Sequence, residues 1–389
     1  MILSQERSFD CDLRWKKIII SWMWAIWNEL SRRLAEMWLS WDVAGILNSK
    51  WVIQSPSREL LLNLSWNKSS VLETSLIDIN PFDFVNYIRD ELHVSPVFID
   101  VSSNSDESLH FNLVQEWIIT VTANKSSALL DYEYAKHLME SRIFWYEWTV
   151  MAWQWAIARL SRTRREMLNW YARINSVEWI LSWTLAFISK RLSEWIDLSE
   201  AIKEAIIKWF TESNPMDDLD GNDVAKKLVF IARTLWYPIN ISDVIVEWLL
   251  DNSFRKVFID IKAEVEKEFL WQDEKTIKWH IADRFSKKIK ESWADDKMRE
   301  LLSANSWKAL RYMATITFDS NRKPILRAWL QFVDSKSEMW VADSNKIVVN
   351  IARWENNPNN HFIIWWNWAW IEETVDWVTE DLRTVLSRR

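Results

Sequence analysis

Strand-like and helix-like patterns alternate through the first third of the chain. Continuous apolar runs at KKIIIS, WDVAGIL, SPVFIDVSS and WIITVTA have the length and composition of buried strands. Between them, IWNELSRRLAEM, PFDFVNYIRDEL and DESLHFNLVQEW space their apolar residues as helices do. Strands that are apolar on both faces, each followed by a helix, imply a parallel sheet covered on both sides. Residues 47–70, LNSKWVIQSPSRELLLNLSWNKSS, read as a loop with some helical spacing.

From about Ala152 the texture changes. The helical stretch WAIARLSRTRREMLNWY is followed by VEWILSWTLAFI and DLSEAIKEAIIKW, then by an acidic turn, TESNPMDDLDGND, that runs into the helix DVAKKLVFIARTL. Residues 253–300 are Lys/Glu-rich, helical in period, and read as a solvated insertion. Three strand-like runs follow, ALRYMATITF, KPILRAWLQFV and KIVVNIAR. The end, FIIWWNWAWIEETVDWVTEDLRTVLSRR, reads as a strand, a tight turn and a helix. The expected fold class is α/β with two lobes. Residues 1–150, completed by 365–389, would form a Rossmann-like parallel-sheet nucleotide-binding lobe. Residues 151–364 would form an α+β substrate and dimerisation lobe.

Composition alters one part of this picture. The 389 residues include 32 Trp and only 2 Gly, whereas an average chain of this length holds roughly 27 Gly. Trp stands where turn chemistry wants glycine: before strands (Trp15, Trp41), after helices (Trp38, Trp170, Trp209, Trp236) and in IIWWNWAW. Helix C-caps and tight turns need φ > 0, which Gly supplies and Trp resists. The excess of one residue matches the deficit of the other. Most of these Trp positions are therefore expected to be glycine in the native polypeptide, through UGA codons read as Gly, with Gly45 and Gly221 arising from ordinary codons. The rival expectation is a non-catalytic, aromatic-rich binding protein whose tryptophans are real.

The remaining bounds are ordinary. A net charge of −7 with both signs interspersed argues against a nucleic-acid partner. A single cysteine, Cys11, excludes a disulfide framework and fits a reducing cytoplasm. The opening MILSQERSFDCDLRW has no signal-peptide pattern, and no uncharged apolar run approaches a membrane span.

The turn after the first strand carries candidate chemistry. With glycine at Trp22, Trp24 and Trp27, residues 21–30 read S-G-M-G-A-I-G-N-E-L, between a strand and a helix. That is the setting in which G-x-G-x-x-G binds a dinucleotide, its pyrophosphate lying on the helix N-terminus. Trp22, Trp24, Ala25, Ile26 and Trp27 are thus cofactor-binding candidates; taken literally, three indoles would fill the phosphate site. After the second strand comes GILNSK, without the carboxylate that holds a ribose 2′-hydroxyl. Asn48, Ser49 and Lys50 could accept a 2′-phosphate, favouring NADP over NAD, or could form a plain surface turn.

The most specific stretch is WILSWTLAFI…WFTESNPMDDLDGNDVAKKLVFIAR. With glycine restored it resembles the signature of homoserine dehydrogenases, G-I-x-S-G-T-L…G-Y-T-E-x-x-P-x-x-D-L-x-G-x-D-x-x-R-K. The resemblance extends to TANK (Thr122–Lys125), YEWTVMAW and WNWAWIEETVDW, and so covers nearly the whole chain from Lys16. It implies NAD(P)-dependent interconversion of L-homoserine and L-aspartate 4-semialdehyde, in threonine and methionine biosynthesis, by a homodimer. Carried over residue by residue, it makes Lys227 the catalytic lysine and Asp223 its partner carboxylate. Glu212, Asp218 and Thr184 fall on substrate positions, and Lys125 lies between cofactor and substrate. Ser102 falls near the nicotinamide and Trp370 on a late cofactor-contacting glycine. Glu147, Val150, Ala152 and Gln154 fall on a structural monovalent-cation (Na+) site.

The residues support part of this independently. Asp223 and Lys227, four apart, share a helical face, which alone would read as a surface salt bridge. The preceding acidic turn holds Glu212, Asp217, Asp218 and Asp220, carboxylates that could hold a substrate ammonium group or merely complement the helix dipole. Carbonyl reduction needs a cation or acid at the oxygen, and a lysine suits that task. Departures from the pattern are Phe210 for Tyr, Lys226 for Arg, Met216 for a frequent Arg, and MAWQW for G-A-G-L-P, which weakens the cation site. His93, His110, His137, His280 and His361 show no ligand spacing and are expected at the surface, with no catalytic metal implied. Nothing resembles an aspartate kinase, and WNWAWIEETVDW is expected to close the catalytic unit. The alternative within enzymes is a related semialdehyde or 2-hydroxy-acid oxidoreductase.

Overall fold

In the computed structural model, three strands open the described chain: β1 (Lys16–Ser21), β2 (Val43–Leu47) and β3 (Val52–Gln54). The residues described are 16–21, 30, 32–33, 43–47, 52–54, 80–93, 95–102, 108–124, 126–145, 160, 173–212, 214–337, 339–340, 346–352, 360–365, 375, 378–379 and 382. α1 (Pro81–Leu92) begins where Asn80 accepts a hydrogen bond from the Phe82 N–H and Pro81 presets the first helical φ. β4 (Ser95–Asp100), α2 (Leu109–Gln115), β5 (Ile119–Thr122), α3 (Tyr132–Glu140) and β6 (Phe144–Trp145) continue the alternation.

These strands form one sheet in the order β3-β2-β1-β4-β5-β6. Five of them run parallel, and β3 pairs antiparallel with β2 at the edge. Ile18, Ile19 and Ile20 of β1 and Val97, Phe98 and Ile99 of β4 are all buried. Consecutive burial of this kind means that both faces are covered, as the continuous apolar runs predict. β3 corrects the expected loop over residues 47–70. Only three residues pair there, Val52 to Gln54 against Leu47 to Gly45, and a strand that short carries no periodic signal. The expected helices over IWNELSRRLAEM and WAIARLSRTRREMLNWY fall mostly outside the described residues, which include helical Leu30, Arg32 and Arg33 in the first and Leu160 in the second.

The chain divides into two compact units, residues 1–161 with 369–389, and residues 162–368. The second contains β7 (Arg173–Ile180), α4 (Trp183–Ser193), α5 (Leu198–Ile207), the single turn α6 (Met216–Leu219), α7 (Asn222–Thr234) and β8 (Val244–Val246). α8 (Ser253–Glu268), α9 (Glu274–Glu291) and α10 (Ala294–Ser303) follow, then β9 (Ala309–Phe318), β10 (Pro324–Val333), β11 (Lys346–Ala352) and β12 (Asn360–Trp365). Its sheet runs β12-β11-β7-β9-β10-β8, antiparallel throughout except for the β8–β10 pair.

The insertion expected to be solvated is so on only one face. Phe258 and Ile261 of α8 and Ile281, Phe285 and Ile289 of α9 are buried, and the Phe285 ring meets those of Phe258 and Phe254 at 5.1 and 6.2 Å. Polar contacts tie the same helices to α5. Asp295 of α10 accepts from the Ser199 N–H and hydroxyl at 2.8 and 2.6 Å. Lys203 pairs with Asp283 at 2.7 Å, and Arg299 pairs with both oxygens of Asp197 at 2.8 Å. A buried cap and a two-pronged guanidinium pair fix register as well as contact. Phe285→Ala is accordingly expected to cost about 3–5 kcal/mol, read from urea unfolding. A change within about 0.5 kcal/mol would mean that the helices are merely solvated.

Candidate active site

In the first unit, β1 has β2 on one side and β4 on the other, so the order of crossovers reverses at its carboxyl end. Ligands of open parallel sheets bind in the crevice at that point. There the chain leaving β4 turns on Asp100. The Ser102 N–H and hydroxyl both donate to Asp100 Oδ1, at 2.9 and 2.6 Å. The Asn124 side-chain amide donates to the Ser102 carbonyl at 3.0 Å. Asp100 Oδ2 meets His110 Nε2 at 2.7 Å, with both side chains buried. Burial alone would raise the Asp100 carboxyl, yet the hydrogen bonds and charge of His110, with the bonds from Ser102, hold it below the usual carboxylate range.

His110 is therefore not the surface residue expected. It lies on the buried side of α2 with Leu109, Leu113 and Val114, and its i, i+3, i+4 spacing to the last two was the available signal. The network fixes Ser102, a sequence candidate, at the switch-point edge of the sheet. A fixed hydroxyl and backbone there fit a ligand lying across the ends of β1 and β4. The other cofactor candidates (Trp22, Trp24, Ala25, Ile26, Trp27, Trp370), Lys125, and the cation candidates (Glu147, Val150, Ala152, Gln154) lie outside the described residues. Among the described residues no group of three His, Cys, Asp or Glu could hold a metal ion, and no helix is long and apolar enough to cross a membrane.

The second unit gathers the substrate and catalytic candidates. At the end of β7, Ser182 caps α4 by accepting from the Leu185 N–H, which sets Thr184 in the first helical turn. The Thr184 hydroxyl bonds to the Phe210 carbonyl and lies 3.2 Å from Asp218 Oδ1. The Glu212 N–H donates to Asp218 Oδ2 at 2.9 Å, while the Glu212 side chain is exposed. Gly221, at φ 69°, then starts α7 in the left-handed region, and a Cβ there would lie 2.3 Å from the Tyr312 hydroxyl oxygen. One turn into α7, the Lys227 ammonium sits 2.6 Å from Asp223 and donates to the Leu181 carbonyl at 3.0 Å. The lysine thus bridges its own helix and the end of β7, beyond what an exposed i, i+4 pair would do.

Asp218 is pushed up to about 7. Burial is the main cause; the charges of Glu212 and Asp223 add to it, while the Glu212 N–H and Lys227 oppose it. Hydrogen bonding is consistent with a proton held there. A protonated Asp218 can donate to the Thr184 oxygen, leaving the Thr184 proton for the Phe210 carbonyl, whereas an ionised one competes for that proton. Two other carboxylates of the acidic turn are engaged elsewhere. Arg255 of α8 reaches Asp217 at 2.6 Å and Asp220 at 2.8 Å. These two are corrected from possible ammonium ligands to anchors of the turn. Arg255 itself carried no sequence signal, because it lies 35 residues beyond Asp220 in a Lys/Glu-rich run.

The homoserine dehydrogenase family model matches residues 162–349, which contain this whole cluster. Two curated relatives are named bifunctional aspartokinase/homoserine dehydrogenase. That of Buchnera aphidicola is 29% identical over 70% of this chain and 31% of its own length. That of Haemophilus influenzae is 32% identical over 49% of this chain and 24% of its own. The chain thus spans about a third or less of these relatives. Among solved structures, a hyperthermophilic archaeal homoserine dehydrogenase in complex with NADPH aligns with a TM-score of 0.62 at 18% identity, covering 95% of this chain and 97% of that one. A Candida auris protein of unknown function aligns with a TM-score of 0.71 at 19% identity, covering 96% and 99%. These two share the fold.

An ammonium group arriving beside Asp218 would favour its ionised form, so binding competes with the proton. Below about pH 7 the KM for an amino-acid substrate should rise up to tenfold per pH unit. Asp218→Asn should raise KM at neutral pH and flatten that slope. An unchanged slope in the variant would remove Asp218 from the substrate site.

Proposed function

We propose that this chain, a member of the homoserine dehydrogenase family through residues 162–349, interconverts L-aspartate 4-semialdehyde and L-homoserine with a nicotinamide cofactor. The observation that carries the reading is the Lys227 ammonium, held at 2.6 Å by Asp223 and at 3.0 Å from the Leu181 carbonyl, in one cluster with Thr184, Asp218 and the Glu212 backbone. When bound, the cofactor supplies or accepts the hydride. Lys227 gives a proton to the carbonyl oxygen as the adjacent carbon is reduced, and takes it back in the reverse direction. Asp223 orients the lysine. Asp218 and Glu212 receive the substrate's ammonium group, and Thr184 positions Asp218.

The first unit is the cofactor lobe in this reading. Ser102 supports the nicotinamide, Lys125 lies between cofactor and substrate, and the turn at 22–27 with residue 370 receives the rest of the dinucleotide. NADP is preferred because no carboxylate follows β2 and Asn48, Ser49 and Lys50 suit a 2′-phosphate. The second unit is the substrate and dimerisation lobe of a homodimer, and Glu147, Val150, Ala152 and Gln154 form a sodium site. These last assignments rest on the resemblance of the sequence to the family.

In protein carrying glycine at positions 22, 24 and 27, Lys227→Ala should lower kcat by about 10²–10⁴-fold, with cofactor affinity near normal. Glu212→Ala should mainly raise the KM for homoserine, because the contact it removes exists before and during reaction. Asp223→Ala should fall between, its lysine displaced rather than lost. Near-normal turnover in Lys227→Ala would reduce the pair to a surface salt bridge worth well under about 1 kcal/mol.

A further inference from the structure

Among the described residues, seven other than glycine have a left-handed backbone, and five of them are tryptophan: Trp117, Trp195, Trp209, Trp236 and Trp293. The other two are His93 and Arg322. Tryptophan is a poor occupant of this region, because Cβ crowds the following carbonyl. Four of the five share one device. The Trp117 N–H donates to the Val114 carbonyl while the Ile118 N–H reaches Leu113. The same two bonds recur at Trp195 and Ile196, Trp209 and Phe210, and Trp236 and Tyr237. This double bond closes a helix through a left-handed residue, and the residue that fits is glycine. Trp293 holds the left-handed N-cap of α10.

The indoles lie largely at the surface, where the Trp209 ring meets the Lys278 ammonium at 3.3 Å, and such a contact does not require a left-handed backbone. The five tryptophans are 80%, 54%, 51%, 46% and 75% exposed in chain order, so no core is built from them. Gly221 offers the control. It is the described left-handed glycine, at φ 69°, and it stands where a Cβ would strike Tyr312 and Val246. Among the described residues the chain thus uses glycine chemistry at six left-handed positions and spells it with glycine at one.

We infer that the functional polypeptide carries glycine at 117, 195, 209, 236 and 293, and by the same replacement at 22, 24 and 27, where the sequence then reads as a glycine-rich dinucleotide-binding pattern. The first part stands on backbone geometry alone. The second rests on the proposed cofactor use. Glycine at 22, 24 and 27 restores the G-x-G-x-x-G spacing, whose bare backbone lets a pyrophosphate approach the N–H groups of a helix N-terminus.

The test is tandem mass spectrometry of the protein isolated from the cells that make it. Glycine residue masses are expected at all eight positions. Tryptophan at the five left-handed positions overturns the inference, and tryptophan at 22, 24 and 27 overturns its second part. Two recombinant full-length forms give an independent reading. Trp→Gly at the five left-handed positions should raise Tm by on the order of 10 °C; an unchanged or lower Tm contradicts the geometry. Adding Trp22→Gly, Trp24→Gly and Trp27→Gly should tighten NADPH binding at least tenfold, read by quenching of intrinsic fluorescence. Glycine masses throughout combined with no NADPH binding would leave the polypeptide inference standing and sink the cofactor reading.

Discussion

One buried carboxylate organises the second unit. Asp218 sits in the single turn α6, and its two oxygens reach two different segments, Thr184 at the start of α4 and the Glu212 N–H in the loop after α5. A carboxylate buried without such donors would not persist in charged form. With them it is poised near neutrality, at about 7. Folding therefore leaves a group whose charge can be decided by what binds beside it. Lys227 and Asp223 stand on the next helix and enter the same electrostatic balance.

The three helices between residues 253 and 303 take on a role in the same frame. They bury an aromatic face, cap α5 through Asp295, and hold Asp217 and Asp220 through Arg255. The effect is to fix both sides of the acidic turn while leaving the Glu212 side chain exposed and Asp218 facing the cluster. An insertion of this kind acts on the site through geometry, because it holds the segment that supplies the carboxylates.

How much of this was legible in the chain depended on the range of the interaction. Four of the five parallel strands are strongly apolar over consecutive residues, and that local signal located them; β6, only two residues long, carried none. Asp223 and Lys227 lie four apart, so spacing set them on one helical face, while the resemblance to homoserine dehydrogenases singled out Asp218. The edge strand β3 was missed because three residues carry no period. His110 was misjudged because its partner, Asp100, lies on a different element and is reached only in three dimensions. Arg255 was invisible for the same reason. Trp209 and Trp236 were suspect from their positions after helices; the left-handed φ values of 62° and 69° supply the physical reason.

If Asp218 is the charge that selects the substrate, binding must displace its proton. Calorimetric titration of homoserine, without cofactor, into the protein at about pH 6 in two buffers of different ionisation enthalpy measures that proton directly. The account predicts release of close to one proton per site, falling towards zero above about pH 8 as the carboxyl is already ionised. Binding heats that are identical in both buffers at the lower pH would contradict it.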